Sequence, residues 1–138
     1  MRPIYESSAD SAAEAHVIRK LAERQQEAQF VKLPRLAVID YMVVSNGEVK
    51  ALVEVKNRRN AADKYLTYII SERKLKDGLE LSKLLNVPFI VVVSWLQDVR
   101  WVKIKQLYPS KIGGRYDRGD AQDIEQVCHI PVSDFKQL

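Results

Sequence analysis

The chain has 138 residues, 46% of them hydrophobic and 29% charged, and Lys and Arg outnumber Asp and Glu by 22 to 18. These values predict one globular domain with a real hydrophobic core, and no apolar run reaches the roughly 18 residues that a membrane helix needs. We therefore expect no membrane partner. The single cysteine, Cys128, excludes an intramolecular disulfide and a cysteine-based zinc site, so a cytoplasmic location is expected. The basic excess permits a polyanionic partner without identifying one.

The first half of the chain predicts a helix followed by three strands. Apolar spacing gives the helix over residues 7–29, and residues 30–33, stopped by a proline, form a short edge strand. Residues 36–44 and 49–57 are β-branched runs on either side of Asn46-Gly47, the strongest short hairpin signal that a sequence offers.

The second half predicts a helix and further strands. Leucines and isoleucines at helical spacing give a second helical segment over residues 60–85, which Gly78 bends or breaks. The most apolar run, VPFIVVVSWL over residues 87–96, predicts a central strand buried on both faces. A strand over residues 99–106, a basic glycine-containing loop over about 108–126 and a final short strand complete the chain.

This order predicts a single-domain α/β fold over residues 1–138, with a central mixed sheet flanked by helices. The link from residue 57 through the helix to residue 87 is a crossover between parallel strands. Trp95 and Trp101 flank the predicted turn at residues 97–98 and are expected to pack together. His16 and His129 have no partners at metal-ligand spacing and are interpreted as structural.

The hairpin carries three charged residues among apolar ones. Asp40 lies between Ile39 and Tyr41, whereas Glu54 and Lys56 lie near the end of the second run. Burying a charge is costly unless it is paired or holds a metal. Because alternate residues of a strand share a face, Glu54 and Lys56 are neighbours.

The position of Asp40 depends on the register of the hairpin. A plain two-residue loop pairs Val44 with Val49 and puts Asp40 opposite Val53. A longer connection or a bulge aligns Asp40 with Leu52 or Glu54 instead, with cross-strand Cβ atoms about 5 Å apart. We predict this second arrangement, because the first leaves an unpaired acid among valines; otherwise the charges are the solvated face of an edge hairpin.

Two neighbouring carboxylates and a lysine suit phosphodiester hydrolysis. The carboxylates can hold Mg²⁺ (or Mn²⁺), which keeps several waters and takes a phosphate oxygen as a further ligand. Such an ion activates a water and neutralises charge at phosphorus. A lysine on the same face stabilises developing charge or acts as general base. Beside two carboxylates we expect Lys56 to stay charged, which favours the electrostatic role.

An acid about a dozen residues before a Glu-X-Lys at the end of a strand, IDYMVV…ALVEVKNR, resembles the PD-(D/E)XK (restriction-endonuclease-like) nuclease superfamily. The resemblance implies an α/β/α core and Mg²⁺-dependent cleavage. It places the metal ligands at Asp40 and Glu54 and the catalytic lysine at Lys56, although Ile39 replaces the proline of the motif. The tail GGRYDRGDAQDIEQVCHIPV is similar to small phage-encoded members, which would act in the host cytoplasm.

Members of this superfamily often add a glutamate from the first helix to the metal site. Glu14 is our candidate for a third metal ligand, with Glu6 and Glu23 as competitors. Tyr68 is expected on the second helix, where members often carry a further polar residue facing the site.

Six cations are predicted to contact the nucleic acid. They follow the motif, lie on the second helix or belong to the glycine-containing loop: Arg58, Arg59, Lys74, Lys111, Arg115 and Arg118. The predicted function is a Mg²⁺-dependent endonuclease acting on DNA, with a homodimer as a way to cut both strands. The alternative is a non-catalytic nucleic-acid-binding or assembly module on the same fold.

Overall fold

In the computed structural model, which describes residues 8–33, 39–96, 98–114 and 124–138, two α-helices and nine β-strands form. The helices are α1 (Ser8–Arg24) and α2 (Glu72–Leu85). The strands are β1 (Gln29–Lys32), β2 (Tyr41–Ser45), β3 (Glu48–Arg58), β4 (Thr67–Ser71), β5 (Phe89–Trp95), β6 (Asp98–Ile104), β7 (Ser110–Gly114), β8 (Ile124–Pro131) and β9 (Lys136–Gln137). Short 3₁₀ turns span Ala62–Lys64 and Val132–Asp134.

Six of these strands form a mixed sheet in the order β1-β2-β3-β5-β6-β9. β3 and β5 are parallel, and the chain between them contains α2, as expected for a crossover. The continuous apolar run of β5 lies at the centre of this sheet, and six of its seven residues are buried. The predicted α/β class, the mixed central sheet and the buried central strand are therefore confirmed.

The two faces of the central sheet are covered differently. Alternate residues of β3 point to opposite faces, so Val53 and Val55 pack against Val17 of α1. On the other face Leu52 packs against Leu75 of α2. Beside α2, this second face is also covered by a small sheet in the order β4-β8-β7, which the sequence did not predict.

Three predictions of secondary structure from the sequence are wrong. Residues 67–71 form β4 rather than helix, because they pair with β8 and bury Tyr68 and Ile70 while Ile69 faces outward. β7 and β8 occupy parts of residues 108–126, where no regular structure was predicted. Helix α1 ends at Arg24, before the predicted end at residue 29, and the chain then turns into β1.

The two tryptophans do not pack together as predicted. Trp95 makes edge-to-face contacts with Tyr68 and Phe135, at centroid distances of 6.0 and 5.2 Å, on the face covered by α2. Trp101 is the cross-strand partner of Val92 and therefore lies on the α1 face. None of the helices that the described residues form is long and apolar enough to span a bilayer.

Gly78 neither bends nor breaks α2 but lets it approach β5. The residue is buried within α2, and a Cβ added there would lie well inside the contact distance of the Phe89 ring, which is fully buried. Helix α2 therefore packs closely against β5 at Gly78, where there is no room for a side chain in this arrangement.

We expect Gly78→Ala to lower the free energy of unfolding. Overpacking a core costs about 1–3 kcal/mol, which outweighs the roughly 1 kcal/mol that alanine gains over glycine in a helix. Urea denaturation measures the difference, with Lys76→Ala, at an exposed position of α2, as control. A higher unfolding midpoint for Gly78→Ala would show that α2 can move away from Phe89.

Candidate active site on the second and third strands

A β-bulge sets the register of the β2–β3 hairpin. Asn46 and Gly47 have φ angles of 53° and 74°, as in a two-residue turn with left-handed residues at both positions. Val44 pairs with Val49, but Val43 pairs with Ala51, so Lys50 has no partner in the ladder. The next pairs are Met42 with Leu52 and Tyr41 with Val53. If the same register is extended by one residue beyond Tyr41 and Val53, Asp40 lies opposite Glu54, as predicted for a bulge.

The packing of the partly buried Val49 against the core accounts for the bulge. Strict alternation would place Val49 and Leu52 on opposite faces, because they are three residues apart. The extra residue, Lys50, puts both side chains into the core on the α2 face. Lys50 itself is exposed, and its ammonium lies 2.9 Å from a carboxylate oxygen of Glu48.

Asp40 is anchored to the strand that carries Glu54. Its Oδ2 accepts a hydrogen bond of 3.0 Å from the backbone N–H of Val55, and its backbone carbonyl accepts one of 2.8 Å from Leu33. Because the N–H groups of Val53 and Val55 face β2, the Asp40 carboxylate continues the ladder beyond the last backbone pair. This side chain is therefore held in place without a metal.

Glu54 is a fully buried carboxylate with two ammonium groups beside it. Its exposed fraction is 0%, and Oε2 lies 2.7 Å from Nζ of Lys74 and 3.5 Å from Nζ of Lys56. Neither oxygen of Glu54 has a hydrogen-bond partner among the residues that the structure describes, and both ion pairs are to Oε2, so Oε1 has neither. A buried carboxylate oxygen without a donor is costly, so the site is suited to a ligand that this oxygen can bind.

The surroundings of Glu54 change its acidity. Burial raises its pKa to about 6, the Lys74 ammonium lowers it, and the negative charge of Asp40 raises it. A carboxyl group with this pKa is mostly ionised at neutral pH. The site then presents two carboxylates on neighbouring strands, one anchored and one buried.

Tyr68 adds a neutral donor to the same environment. It lies on β4, not on the second helix as predicted, and its hydroxyl is buried with no hydrogen-bond partner in the described part of the chain. Burial raises the pKa of Tyr68 to about 12, and Arg58, whose guanidinium lies 4.8 Å from the ring centroid, lowers it. The β-branched and aromatic side chains of residues 67–70, which read TYII, were the available signal for a strand.

The predicted nucleic-acid contacts lie in different parts of the fold. Lys74 sits at Glu54, whereas Arg58 donates to the backbone carbonyls of Asn57 and Ile69 at 3.4 and 3.5 Å. Arg59, which follows β3, is exposed, and so is Lys111 of β7. Ser71 of β4 and Lys111 of β7 are both cross-strand partners of Val127 on β8, so their backbones lie two strand spacings apart, about 10 Å. Arg115 and Arg118 lie outside the described residues.

Glu14 is not brought into a three-carboxylate group. It is buried on α1 and forms a 2.8 Å ion pair with Lys32, whose cross-strand partner is Tyr41, the residue after Asp40. The described residues contain no group of three or more His, Cys, Asp or Glu side chains close enough to hold an ion. The role of Glu14 as a third ligand thus stays a prediction.

The donor set that is present fits a hard divalent cation. Mg²⁺ commonly binds through one or two carboxylates and completes its coordination with waters and substrate phosphate. Asp40 and Glu54 supply two carboxylates, and the orphaned Oε1 of Glu54 is an oxygen of the type that such an ion prefers. Lys74 occupies the other oxygen of Glu54 and competes there with a cation.

The three layers, the mixed sheet and the hairpin that carries Asp40, Glu54 and Lys56 define a restriction-endonuclease-like fold. The model of a family described as "Phage putative PDDEXK endonuclease" matches residues 1–138. The chain therefore belongs to this family of phage-type PD-(D/E)XK nucleases. A comparison with curated proteins finds no match.

Proposed function

We propose that this protein is a Mg²⁺- or Mn²⁺-dependent endonuclease that hydrolyses phosphodiester bonds in DNA. The observation that carries the proposal is the register of the hairpin, which brings the anchored Asp40 opposite the buried Glu54. Membership of a PD-(D/E)XK endonuclease family supports nuclease chemistry in general. The nature of the ion and of the nucleic acid belongs to the proposal.

In this proposal Asp40 and Glu54 are the metal ligands. Asp40 is positioned by its bond to Val55, so no side-chain ordering is needed when the ion binds. Glu54 is dry and ionised at neutral pH, which strengthens its attraction for a cation. When bound, the ion activates a water for attack on the phosphate and neutralises charge that develops at phosphorus.

Lys56 is the proposed catalytic lysine. It follows Glu54 by two residues on the same face of β3, and its side chain is 39% exposed, so the ammonium reaches both the carboxylate and a bound phosphate. We assign it to stabilisation of negative charge on the phosphate in the transition state. Tyr68 can donate a hydrogen bond from the floor of the site, because its buried hydroxyl carries a proton at neutral pH.

The cations near the site are proposed to hold the DNA backbone. Arg59 and Lys64 are exposed just beyond the end of β3, and Lys111 lies on the small sheet. Such contacts position the backbone without reading its sequence. A cation bound at Glu54 would compete with Lys74 for the carboxylate, and the Lys74 ammonium could then contact a phosphate as well.

A plasmid-nicking assay tests the proposal. Supercoiled plasmid with the protein and Mg²⁺ or Mn²⁺ is expected to be nicked, and EDTA is expected to stop the reaction. Asp40→Asn keeps the shape of the side chain but removes a charged ligand, so we expect at least about 100-fold slower nicking. Equal nicking by Asp40→Asn and wild type would reject the site. Binding of DNA without cleavage of any substrate would support the non-catalytic module instead.

A further inference from the structure

Two exposed apolar side chains come just before the strand that carries Tyr68. Leu66 is 89% exposed and Tyr65 is 59% exposed, immediately before β4. Leu66 lies two residues before Tyr68, at most about 7 Å along the chain, and the ring of Tyr68 contacts the guanidinium of Arg58 at the end of β3. Leu66 therefore belongs to the same part of the fold as Tyr68 and Arg58 but lies outside the core.

The backbone holds these side chains in their exposed position. The carbonyl of Leu66 accepts a 2.9 Å hydrogen bond from the N–H of Val132, and the N–H of Lys64 donates to the carbonyl of Ala61 at 3.1 Å. Ala62, in the same short 3₁₀ turn, is buried in the core. The exposure of Tyr65 and Leu66 is thus built into the fold, since the segment on either side of them is anchored.

The charges around this surface point to an anionic partner with apolar faces. Arg59 and Lys64 are exposed on the same segment, and the ammonium of Lys64 lies 5.4 Å from the centroid of the Tyr65 ring. Asp63 is the acid between them. An apolar peptide matches the leucine and tyrosine but not the cations. A nucleic acid matches both, because its phosphates meet the cations and its bases stack on aromatic and apolar side chains.

We propose that Tyr65 and Leu66 contact unpaired bases of the DNA, so that the protein prefers single-stranded or forked substrates over continuous duplex. The faces of bases within a duplex are covered by their neighbours, whereas unpaired bases can leave the stack and cover an apolar side chain. The inference rests on the proposed function for its choice of DNA as the partner. It names the substrate class that the cleavage site alone does not select.

Fluorescence anisotropy in EDTA tests the inference, because binding is measured without cleavage. The probes are labelled single-stranded, forked and fully duplex DNA of equal length. The double variant Tyr65→Ala/Leu66→Ala is expected to bind single-stranded and forked DNA roughly 5- to 100-fold more weakly, with less than about a 2-fold change for duplex. Leu84→Ala is the matched control, since Leu84 is 82% exposed at the far end of α2, and no change is expected.

Three results would overturn the inference. They are an unchanged affinity of the double variant for single-stranded and forked DNA, an equal loss for duplex, and no DNA binding by the wild-type protein. Sedimentation of both proteins adds an independent readout. If the wild type is a dimer that the double variant dissociates while DNA affinity stays constant, a second copy of the chain covers this surface instead.

The binding and nicking assays separate the inference from the proposed function. A protein that binds forked DNA through Tyr65 and Leu66 but nicks no substrate keeps the inference and rejects the nuclease. If the protein nicks DNA in a metal-dependent way but the double variant binds forked DNA with wild-type affinity, the nuclease is kept and the inference is rejected.

Discussion

Replacing Lys56 by methionine is expected to slow DNA cleavage by roughly 100- to 10,000-fold, the usual range for a residue that moves a proton or stabilises charge in the transition state. Methionine keeps the length of the side chain but removes the ammonium that lies 3.5 Å from Glu54 and faces the opening of the site. Single-turnover nicking at saturating protein measures the rate of the chemical step. DNA binding in EDTA is expected to change little.

Lys74→Met is the matched comparison, because Lys74 lies closer to Glu54, at 2.7 Å. Its ammonium sits on the carboxylate that the proposed ion would bind, so we expect its loss to slow the chemical step less than the loss of Lys56. Its effect should fall on metal and DNA affinity instead. If Lys74→Met lowers the single-turnover rate more than Lys56→Met does, Lys74 of α2 is the catalytic lysine and not Lys56.

The contribution of Glu54 to the stability of the metal-free protein is expected to fall by about 2 kcal/mol in total as the pH rises from well below 4.5 to well above 6. The pKa of Glu54 is about 6 in the folded chain, against an ordinary value of 4.5. Between these values the folded state binds more protons than the unfolded state, so stability is greatest below 4.5 and decreases as the pH rises. Urea denaturation in EDTA at a series of pH values measures this contribution.

Glu54→Gln is the control for this titration, since it removes the ionisable group and keeps its shape. The difference between wild type and variant is needed because other acids act in the opposite direction. Hydrogen bonds from Arg100 lower the pKa of Asp98 below 3.8, for example, so its contribution grows with pH at the acid end of the series and is constant above it. A difference that stays flat or rises between pH 4.5 and 6 would show that Glu54 is not desolvated.

Metal binding gives the same pair of proteins a second readout. At neutral pH, Mg²⁺ at about 100 times its dissociation constant should stabilise the wild type by about 2.7 kcal/mol. Glu54→Gln should gain much less, because it lacks one of the two charged ligands. Equal stabilisation of both proteins would place the ion elsewhere.

Several features follow from the sequence alone. The continuous apolar run of β5 has no polar side to show to solvent, so burial at the centre of a sheet is its only stable place. Asn46-Gly47 tolerates the left-handed backbone of a tight turn and therefore determines where β2 and β3 reverse. The two-residue spacing of Glu54 and Lys56 puts them on one face of whatever strand contains them. These local rules indicate the α/β class, whereas the family follows from the resemblance of the motif and from the family match over residues 1–138.

The tertiary structure alone decided which of these residues meet. The bulge at Lys50 depends on burying both Val49 and Leu52 under α2, and one extra residue changes the face of every side chain beyond it. Residues 67–71 also fit the apolar spacing of a helix that continues to residue 85, and pairing with β8, more than 50 residues later, selects the strand. As a consequence of that pairing, Tyr68 is buried in the electrostatic environment of Glu54, and Leu66 stays exposed two residues before it. Long-range packing thus turns a short motif into a site. The register of the hairpin and the burial of its side chains depend on residues outside the motif.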